Sequence, residues 1–266
     1  MDEPVPGHPE IARVLAPNPG PMTLEGTNTW IVAVDGCSWV IDPGPDDGGH
    51  VAAVGEAAGR HGGIAGVVLT HSHADHSAAV PALGAPLVWG TVGSGDEVSP
   101  QSGARPGDEG WPPPPPADPV GPFVVVPTPG HAVDHVCLLH GRVCFCGDLV
   151  LGTGSSFVPP DGGSLAAYLD SLARLRELDV ELLCPGHGPV ITDPATRIDE
   201  YIEHRLDRER RVLAALADGV RSRAELLDRA WDDVPAELRP AAALVMEAHL
   251  EKLEAEGRVA AGQLAG

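Results

Sequence analysis

Ile64-Ala65-Gly66-Val67-Val68-Leu69 runs directly into Thr70-His71-Ser72-His73-Ala74-Asp75-His76, and this stretch decides how the chain is read. The aliphatic half has the length of one buried strand and falls far short of a membrane span. The second half packs His71, His73, Asp75 and His76 into consecutive turns of chain. A strand that ends in His-x-His-x-Asp-His delivers imidazole nitrogens and a carboxylate to one place at a sheet edge. Those are the donors that zinc, iron and manganese accept.

Three further strand ends share the pattern. Thr128-Pro129-Gly130-His131 follows an apolar run at 123–127, Cys146-Gly147-Asp148 closes the run 142–147, and Pro185-Gly186-His187-Gly188 follows 181–184. Each couples one donor to a glycine-bearing turn, and glycine lets a backbone approach an ion closely. Open sheets gather their sites at such strand ends. A lone histidine after a strand is ordinarily a polar loop residue. Four such ends, one of them carrying His-x-His-x-Asp-His, favour a single shared cluster.

Outward from these ends the organisation is legible. Residues 28–34 and 37–42 read as strands joined by a turn at Asp35-Gly36. An Ala-rich helix is expected over 49–60, a helix from Asp75 to about Leu83 with Pro81 inside or ending it, and a short strand at 86–89. Residues 90–122 lack periodicity and carry Trp111 followed by five prolines, 112–116, read as a stiff surface spacer. Strands resume at 123–127, 134–139, 142–147 and 181–184. Leucines at three- and four-residue spacing predict a helix over 164–178 with Ser164 as its N-cap. After Asp193-Pro194 the texture changes to charged helices over 195–217, 222–231 and 237–256, with Glu256 to Ala260 turning into a strand. Three helices and a closing ribbon suggest a small winged-helix module. The expected division is a metal-binding domain, 1–194, and a winged-helix-like domain, 195–266.

Composition narrows the function classes. The formal net charge is −21, and residues 1–195 hold 6 arginines against 23 acidic residues. A polyanion-binding surface needs clustered basic side chains, which the first domain lacks. No apolar stretch approaches membrane-spanning length, and Met1-Asp2-Glu3-Pro4 does not resemble a targeting signal. The five cysteines read as buried thiols of a reducing compartment, so the expectation is a cytoplasmic chain with no membrane partner.

The residues Thr70 to His76, His131, Asp148 and His187, in that order, resemble the metallo-β-lactamase fold, in the branch with a carboxylate between two metals. The text from Asn18 to Thr29, Pro185 to Ile191, Tyr201-Ile202-Glu203-His204-Arg205 and Arg208-Glu209 is similar to the β-lactamase-like endoribonucleases and their bacterial relatives. The resemblance implies an α+β chain built as a four-layer αβ/βα sandwich with a winged-helix-like tail. It implies that His71, His73 and His131 hold one divalent metal and Asp75, His76 and His187 the other, with Asp148 bridging. Zinc is expected, with iron and manganese also suited to nitrogen and oxygen donors. Zinc β-lactamases with two metals typically place a cysteine at the position of Asp148, which argues against that activity here.

The function expected is a dinuclear hydrolase in which a hydroxide shared by the metals attacks a small ester or thioester. Asp75 would orient that hydroxide as the catalytic carboxylate. Asp42 is read as a partner of a ligand imidazole or a turn former, and His135 as a site residue or a satisfied strand residue. Cys146 is read as a buried thiol and His204 as a linker residue. The alternative is a single-strand-directed ribonuclease using Arg205, Arg208, Arg210, Arg211, Arg221 and Arg223 on phosphate. Ion pairing of these arginines along the helices is the simpler reading, and the acidic charge disfavours RNA. A non-enzymatic binding module is the least favoured reading. A small-molecule substrate is expected, and a homodimer stays open.

Overall fold

Successive side chains point to opposite faces along each strand of two sheets, and this decides what each face meets. The computed structural model describes residues 2–90, 119–260, 262 and 264. The first sheet runs in chain order: β1 (Asp2–Val5), β2 (His8–Leu15), β3 (Asn28–Val34), β4 (Cys37–Ile41), β5 (Ile64–Val68) and β6 (Leu87–Trp89). Its first four strands are antiparallel neighbours, while β5 and β6 join in parallel. The second sheet holds β7 (Val124–Pro127), β8 (Val136–His140), β9 (Val143–Gly147) and β10 (Leu182–Pro185) in the order β10-β9-β8-β7.

Trp30, Val32, Ile41 and Val68 point from the first sheet onto Val125, Leu138, Phe145 and Leu182 of the second. The rings of Trp30 and Phe145 lie 6.0 Å apart. The intervening residues Ile31, Val40 and Val67 face the other way, under Val54, Ala57 and Ala58 of α1 (Gly48–Gly59). Likewise Cys137, Cys144 and Leu183 lie beneath α4 (Leu165–Arg176) and the first half of α5 (Pro194–Ala217). The result is four layers, helix, sheet, sheet and helix. A one-residue slip of β9 would move Phe145 out of the central layer. Truncating Phe145 to alanine there would cost about 3–5 kcal/mol.

Chain signals place the helix starts. Asp47, Ser164 and Asp193 each accept a hydrogen bond from a backbone N–H in the first turn of α1, α4 and α5. Pro194 opens α5, where its missing N–H costs nothing. Beyond α5 come α6 (Arg223–Ala230), a 3-10 turn (Ala236–Leu238) and α7 (Arg239–Ala255). Leu226, Trp231, Met246, Leu250 and Leu253 pack there against Val212 and Leu216 of α5. This one helix therefore belongs to two cores, with Ile198 and Tyr201 in the outer layer of the sandwich. No helix among the described residues is long and apolar enough to cross a membrane.

One element was not expected, and two expectations differ from the structure. The hairpin β1–β2 has little sequence signal: its turn rests on Gly7, at φ 83°, and β2 buries fully only Ile11 and Val14. The helix expected from Asp75 to Leu83 is two single turns, α2 (Ala74–Ser77) and α3 (Val80–Leu83), with Pro81 in the first turn of α3. Glu256 to Ala260 form no strand. Gly257 N and Arg258 N instead donate to the carbonyls of Glu254 and Leu253 at 3.0 and 2.9 Å. This closes α7 as a Schellman cap with Gly257 at φ 70°, so those donors are not free to pair with a ribbon partner. The proline run 112–116 lies outside the described residues.

Candidate metal centre

Asp42, at the end of β4, organises the first group of donors. Its backbone is held at φ 49°, a left-handed conformation that a non-glycine residue adopts at some cost. Thr70 donates to it twice, from N to Oδ1 at 2.8 Å and from Oγ1 to Oδ2 at 2.6 Å. His76 Nδ1 donates to Oδ2 at 2.9 Å. Of the two roles open for Asp42, the structure therefore realises the partner of an imidazole.

The same logic fixes three more rings. His71 Nδ1 donates to Thr70 Oγ1 at 3.0 Å, His131 Nδ1 to the Phe157 carbonyl at 2.6 Å, and His187 Nδ1 to the Gly26 carbonyl at 3.2 Å. A neutral imidazole with its proton on Nδ1 presents a lone pair at Nε2. Four rings, that of His76 included, thus turn Nε2 inward. His71 Nε2 and His131 Nε2 each lie 3.0 Å from His73 Nδ1. Three nitrogens so close together repel unless a cation or proton sits between them.

The second group surrounds two carboxylates. His76 Nε2 lies 3.5 Å from both Asp75 Oδ2 and Asp148 Oδ1. His187 Nε2 lies 3.3 Å from Asp75 Oδ2 and 3.4 Å from Asp148 Oδ2, and His131 Nε2 lies 3.6 Å from Asp148 Oδ2. Asp148 thereby faces both groups. His76 Nε2 and Asp148 Oδ1 are buried without a hydrogen-bond partner. Among the described residues, no arginine or lysine pairs with Asp42, Asp75 or Asp148. Buried carboxylates without a cationic partner are costly, so this donor set fits divalent metal.

Donor atoms of His71, His73 and His131, and those of Asp75, His76 and His187, lie within 4.8 Å of one another in each set. Asp42, His71 and His76 form a third such set. Both Asp42 oxygens are already occupied by Thr70 and His76, which leaves the first two sets as the ones open to an ion.

Protonation follows the same division. Burial presses the pKa of His71 well below its ordinary value and that of His131 down to about 4. Burial also opposes charge on His76 and His187. The carboxylates of Asp75, Asp148 and Asp42 overcome it at His76, raising it well above the usual range, and Asp148 raises His187 to about 9. Burial works to raise Asp75, but His76 and His187 outweigh it and lower it to about 2. Protons on His76 and His187 thus stand where positive charge is wanted.

Two glycines are sterically required. A Cβ on Gly186 would sit 2.3 Å from Asp148 Oδ1 and 2.6 Å from His76 Cε1. Gly130, at φ 142°, passes so near Tyr168 that a Cβ would meet its Cα at 2.4 Å. Both allow strand ends to converge.

The donors open on a cleft of about 310 Å³. His73, Asp75, His131, Asp148 and His187 form its polar end. Pro21, Met22, Leu24, Leu151, Phe157 and Leu238 form an apolar wall, and among the described residues no arginine or lysine lines it. Leu238 comes from beyond α6.

All seven residues singled out in the sequence, His71, His73, Asp75, His76, His131, Asp148 and His187, converge here. His135 lies behind them, donating Nδ1 or accepting there from Thr128 Oγ1 at 2.9 Å, and does not line the cleft. Cys146 is a buried thiol whose Sγ donates to Val150 O at 3.3 Å. His204 is an exposed residue of α5 outside the cluster. The six tail arginines are engaged within the chain. Arg210 and Arg211 pair with Asp207, Arg223 with Glu247, and Arg221 donates to the Leu216 and Val220 carbonyls. Arg205 and Arg208 are buried rather than on the helix surface. The Phe157 and Gly26 carbonyls escaped the sequence reading because a backbone acceptor carries no residue signature.

A model of the metallo-beta-lactamase superfamily matches residues 22–187, and one of the beta-lactamase-associated winged helix domain matches 222–264. A beta-lactamase-like protein 2 homolog of Caenorhabditis elegans is 30% identical over 274 residues, covering 94% of this chain and 85% of that protein. An Aspergillus fumigatus protein named atrochrysone carboxyl ACP thioesterase is 31% identical over 253 residues, covering 86% of this chain and 76% of its own length. The crystal structure of a beta-lactamase domain protein from Burkholderia ambifaria shares the fold, with a TM-score of 0.73 at 23% identity, covering 94% of this chain and 87% of that one.

Proposed function

The chain belongs to the metallo-beta-lactamase superfamily and is a hydrolase carrying the associated winged helix domain; on that premise we propose that it holds two divalent ions and cleaves a small ester or thioester. The observation that carries the substrate class is the cleft, a polar donor cluster at one end and an uncharged apolar wall beside it.

In this reading His71, His73 and His131 hold one ion, Asp75, His76 and His187 the other, and Asp148 is shared. The nitrogen-rich, thiolate-free donors suit zinc, with iron or manganese as alternatives. When bound, such a pair supplies Lewis acidity and makes water a competent nucleophile at neutral pH. The chain's own residues do the rest. Asp42, Thr70 and the Gly26 and Phe157 carbonyls hold the Nδ1–H groups of His76, His71, His187 and His131, so that Nε2 of each of these rings is aimed at the ion that would displace any proton there. Asp75 is the carboxylate most open to the cleft, its side chain 30% exposed, and it can orient an attacking water by accepting a hydrogen bond from it. Met22, Leu24, Leu151 and Leu238 receive the hydrocarbon part of the substrate and exclude water from it.

A cleft that none of the described residues lines with a basic side chain supports an uncharged acyl group over a polyanion, since phosphate backbones are gripped by arginine and lysine. The thioesterase name of the Aspergillus fumigatus relative supports the same choice. The division at residues 194 and 195 belongs to this proposal too, and the packing of α5 on both sides of it makes that boundary a shared helix rather than a linker. The test is a hydrolysis panel on protein of measured metal content, offering an acyl thioester, a phosphodiester, single-stranded RNA and a lactam. Fastest turnover of the thioester is the expected result, and preference for RNA or lactam would replace the reading.

A further inference from the structure

Arg197, Tyr201 and Arg205 recur at four-residue spacing and so form one stripe of α5. All three reach the segment that follows Asp148. Arg197 donates to the Leu151 carbonyl from Nε at 3.4 Å and to the Gly154 carbonyl from Nη2 at 2.9 Å. Tyr201 Oη accepts from Leu151 N at 3.0 Å. Arg205 Nη2 donates to Ser155 Oγ at 3.0 Å and to the Ser156 carbonyl. Arg205 is 2% exposed, and its guanidinium lies 5.3 Å from the centre of the Tyr168 ring. A planar, permanently charged fork buried in this way ties down whatever accepts from it.

What it ties down adjoins the metal centre. The next carbonyl along, that of Phe157, accepts from His131 Nδ1 at 2.6 Å. Ser156 Oγ donates to the Asp148 carbonyl at 2.5 Å. The peptide gripped by Arg205 is therefore flanked by contacts to two residues of the donor cluster.

We propose that Arg205 is a positioning residue for the metal centre: by fixing the Ser156 carbonyl it aims the Phe157 carbonyl at His131, keeping that ring's proton on Nδ1 and its Nε2 free for a cation. This rests on the reading of His131 as a metal ligand. It makes the helix that begins the second domain a condition of a complete site in the first.

Arg208 is the matched comparison. It is also on α5, 5% exposed, and lies 5.4 Å from the Trp231 ring. It donates to the Ala230 carbonyl and to Asp233, which do not touch the segment after Asp148. Any effect common to both arginines is general loosening, and an effect of Arg205 alone is positioning.

The experiment uses the full chain stripped of metal. Zn²⁺ alone is titrated in competition with a chromophoric chelator, and imidazole nitrogen resonances are recorded, the His131 Nδ1–H signal being the one lost in His131→Ala. Arg205→Met is expected to weaken one of two zinc equivalents about 10–100-fold and to erase the His131 signal. Arg205→Lys is expected to recover part of both, and Arg208→Met to change neither. Equal weakening by Arg205→Met and Arg208→Met, or by neither, overturns the proposal. Should Arg205→Met not fold, Arg205→Lys and Ser155→Ala carry the test, with intermediate weakening expected and unchanged zinc affinity in both overturning it. If His131→Ala itself keeps two zinc equivalents at full affinity, the ligand reading is what has failed.

Discussion

Asp148 and Glu209 are both carboxylates withdrawn from water, 7% and 2% exposed, yet their surroundings are completed differently. Glu209 faces Lys252 Nζ at 2.6 Å and Arg258 Nη1 at 2.9 Å, one cation for each oxygen. Among the described residues Asp148 faces only imidazoles, at 3.4–3.6 Å, and Asp75 beside it has no stronger partner. The helical cluster is electrically closed by covalently attached charge. The strand-end cluster leaves its balance to something that must come from solution. A buried network that satisfies itself supports a fold, whereas one that does not is poised for binding.

The contrast is most exposed at its two carboxylates. Asp148→Ala should remove the shared ligand, with turnover falling by more than about 100-fold, beyond the range for residues that only orient ligands. Metal analysis should show loss of both ions, and a variant of normal activity and occupancy would break the comparison. Glu209→Ala should do the reverse, costing about 1.5–3 kcal/mol of stability in chemical denaturation by removing the buried acceptor that Lys252 and Arg258 share, with metal content unchanged. Asp42→Asn sharpens the difference within the site. It keeps the shape but weakens the acceptor for His76 Nδ1, and zinc affinity should drop about 10–100-fold by calorimetry.

Proton linkage gives a smaller, graded effect. In the metal-free chain His187 carries a proton up to about pH 9 because of Asp148, and His76 is raised in the same direction. A metal must displace those protons, so its affinity should rise with pH by about tenfold per unit for each proton released, the His187 share levelling off above about 9. Calorimetry in buffers of different ionisation enthalpy counts the protons. By the same sign, the elevated pKa of His187 stabilises the metal-free fold below pH 6.5, and that contribution is lost as pH rises through about 9. The smallest expected effect is at the wall of the cleft. Leu238→Ala should raise KM for a long-chain acyl thioester about tenfold at most, leaving kcat and short-chain substrates nearly unchanged. A uniform change across chain lengths would remove Leu238 from substrate contact.

The donors were legible because a ligand is a side chain, and His71, His73, Asp75, His76, His131, Asp148 and His187 each stand at the end of an aliphatic run. Both sheets were legible where short unbroken apolar runs stop at turn residues, as in Trp30 to Val34 before Asp35-Gly36. The hairpin β1–β2 was not, because an edge ribbon that buries only Val5, Ile11 and Val14 leaves little pattern. The orienting acceptors of His131 and His187 are backbone oxygens set by tertiary approach. Arg205 reads as one of several surface charges on a polar helix, and only the position of the segment after Asp148 turns it inward. The ribbon expected at the end of the tail was lost to Gly257, which ends a helix as readily as it starts a turn.

α5 also has a consequence for how the protein is made. Chains emerge from the ribosome N-terminus first and tend to fold domain by domain. Here every residue of the donor cluster has been synthesised by His187, but the helix that covers the second sheet and holds the segment after Asp148 runs to Ala217. The nascent sandwich therefore waits, chemically equipped but structurally unfinished, until another thirty or so residues have been translated, and a gene split at the domain border would leave each half without a wall that the other was meant to supply.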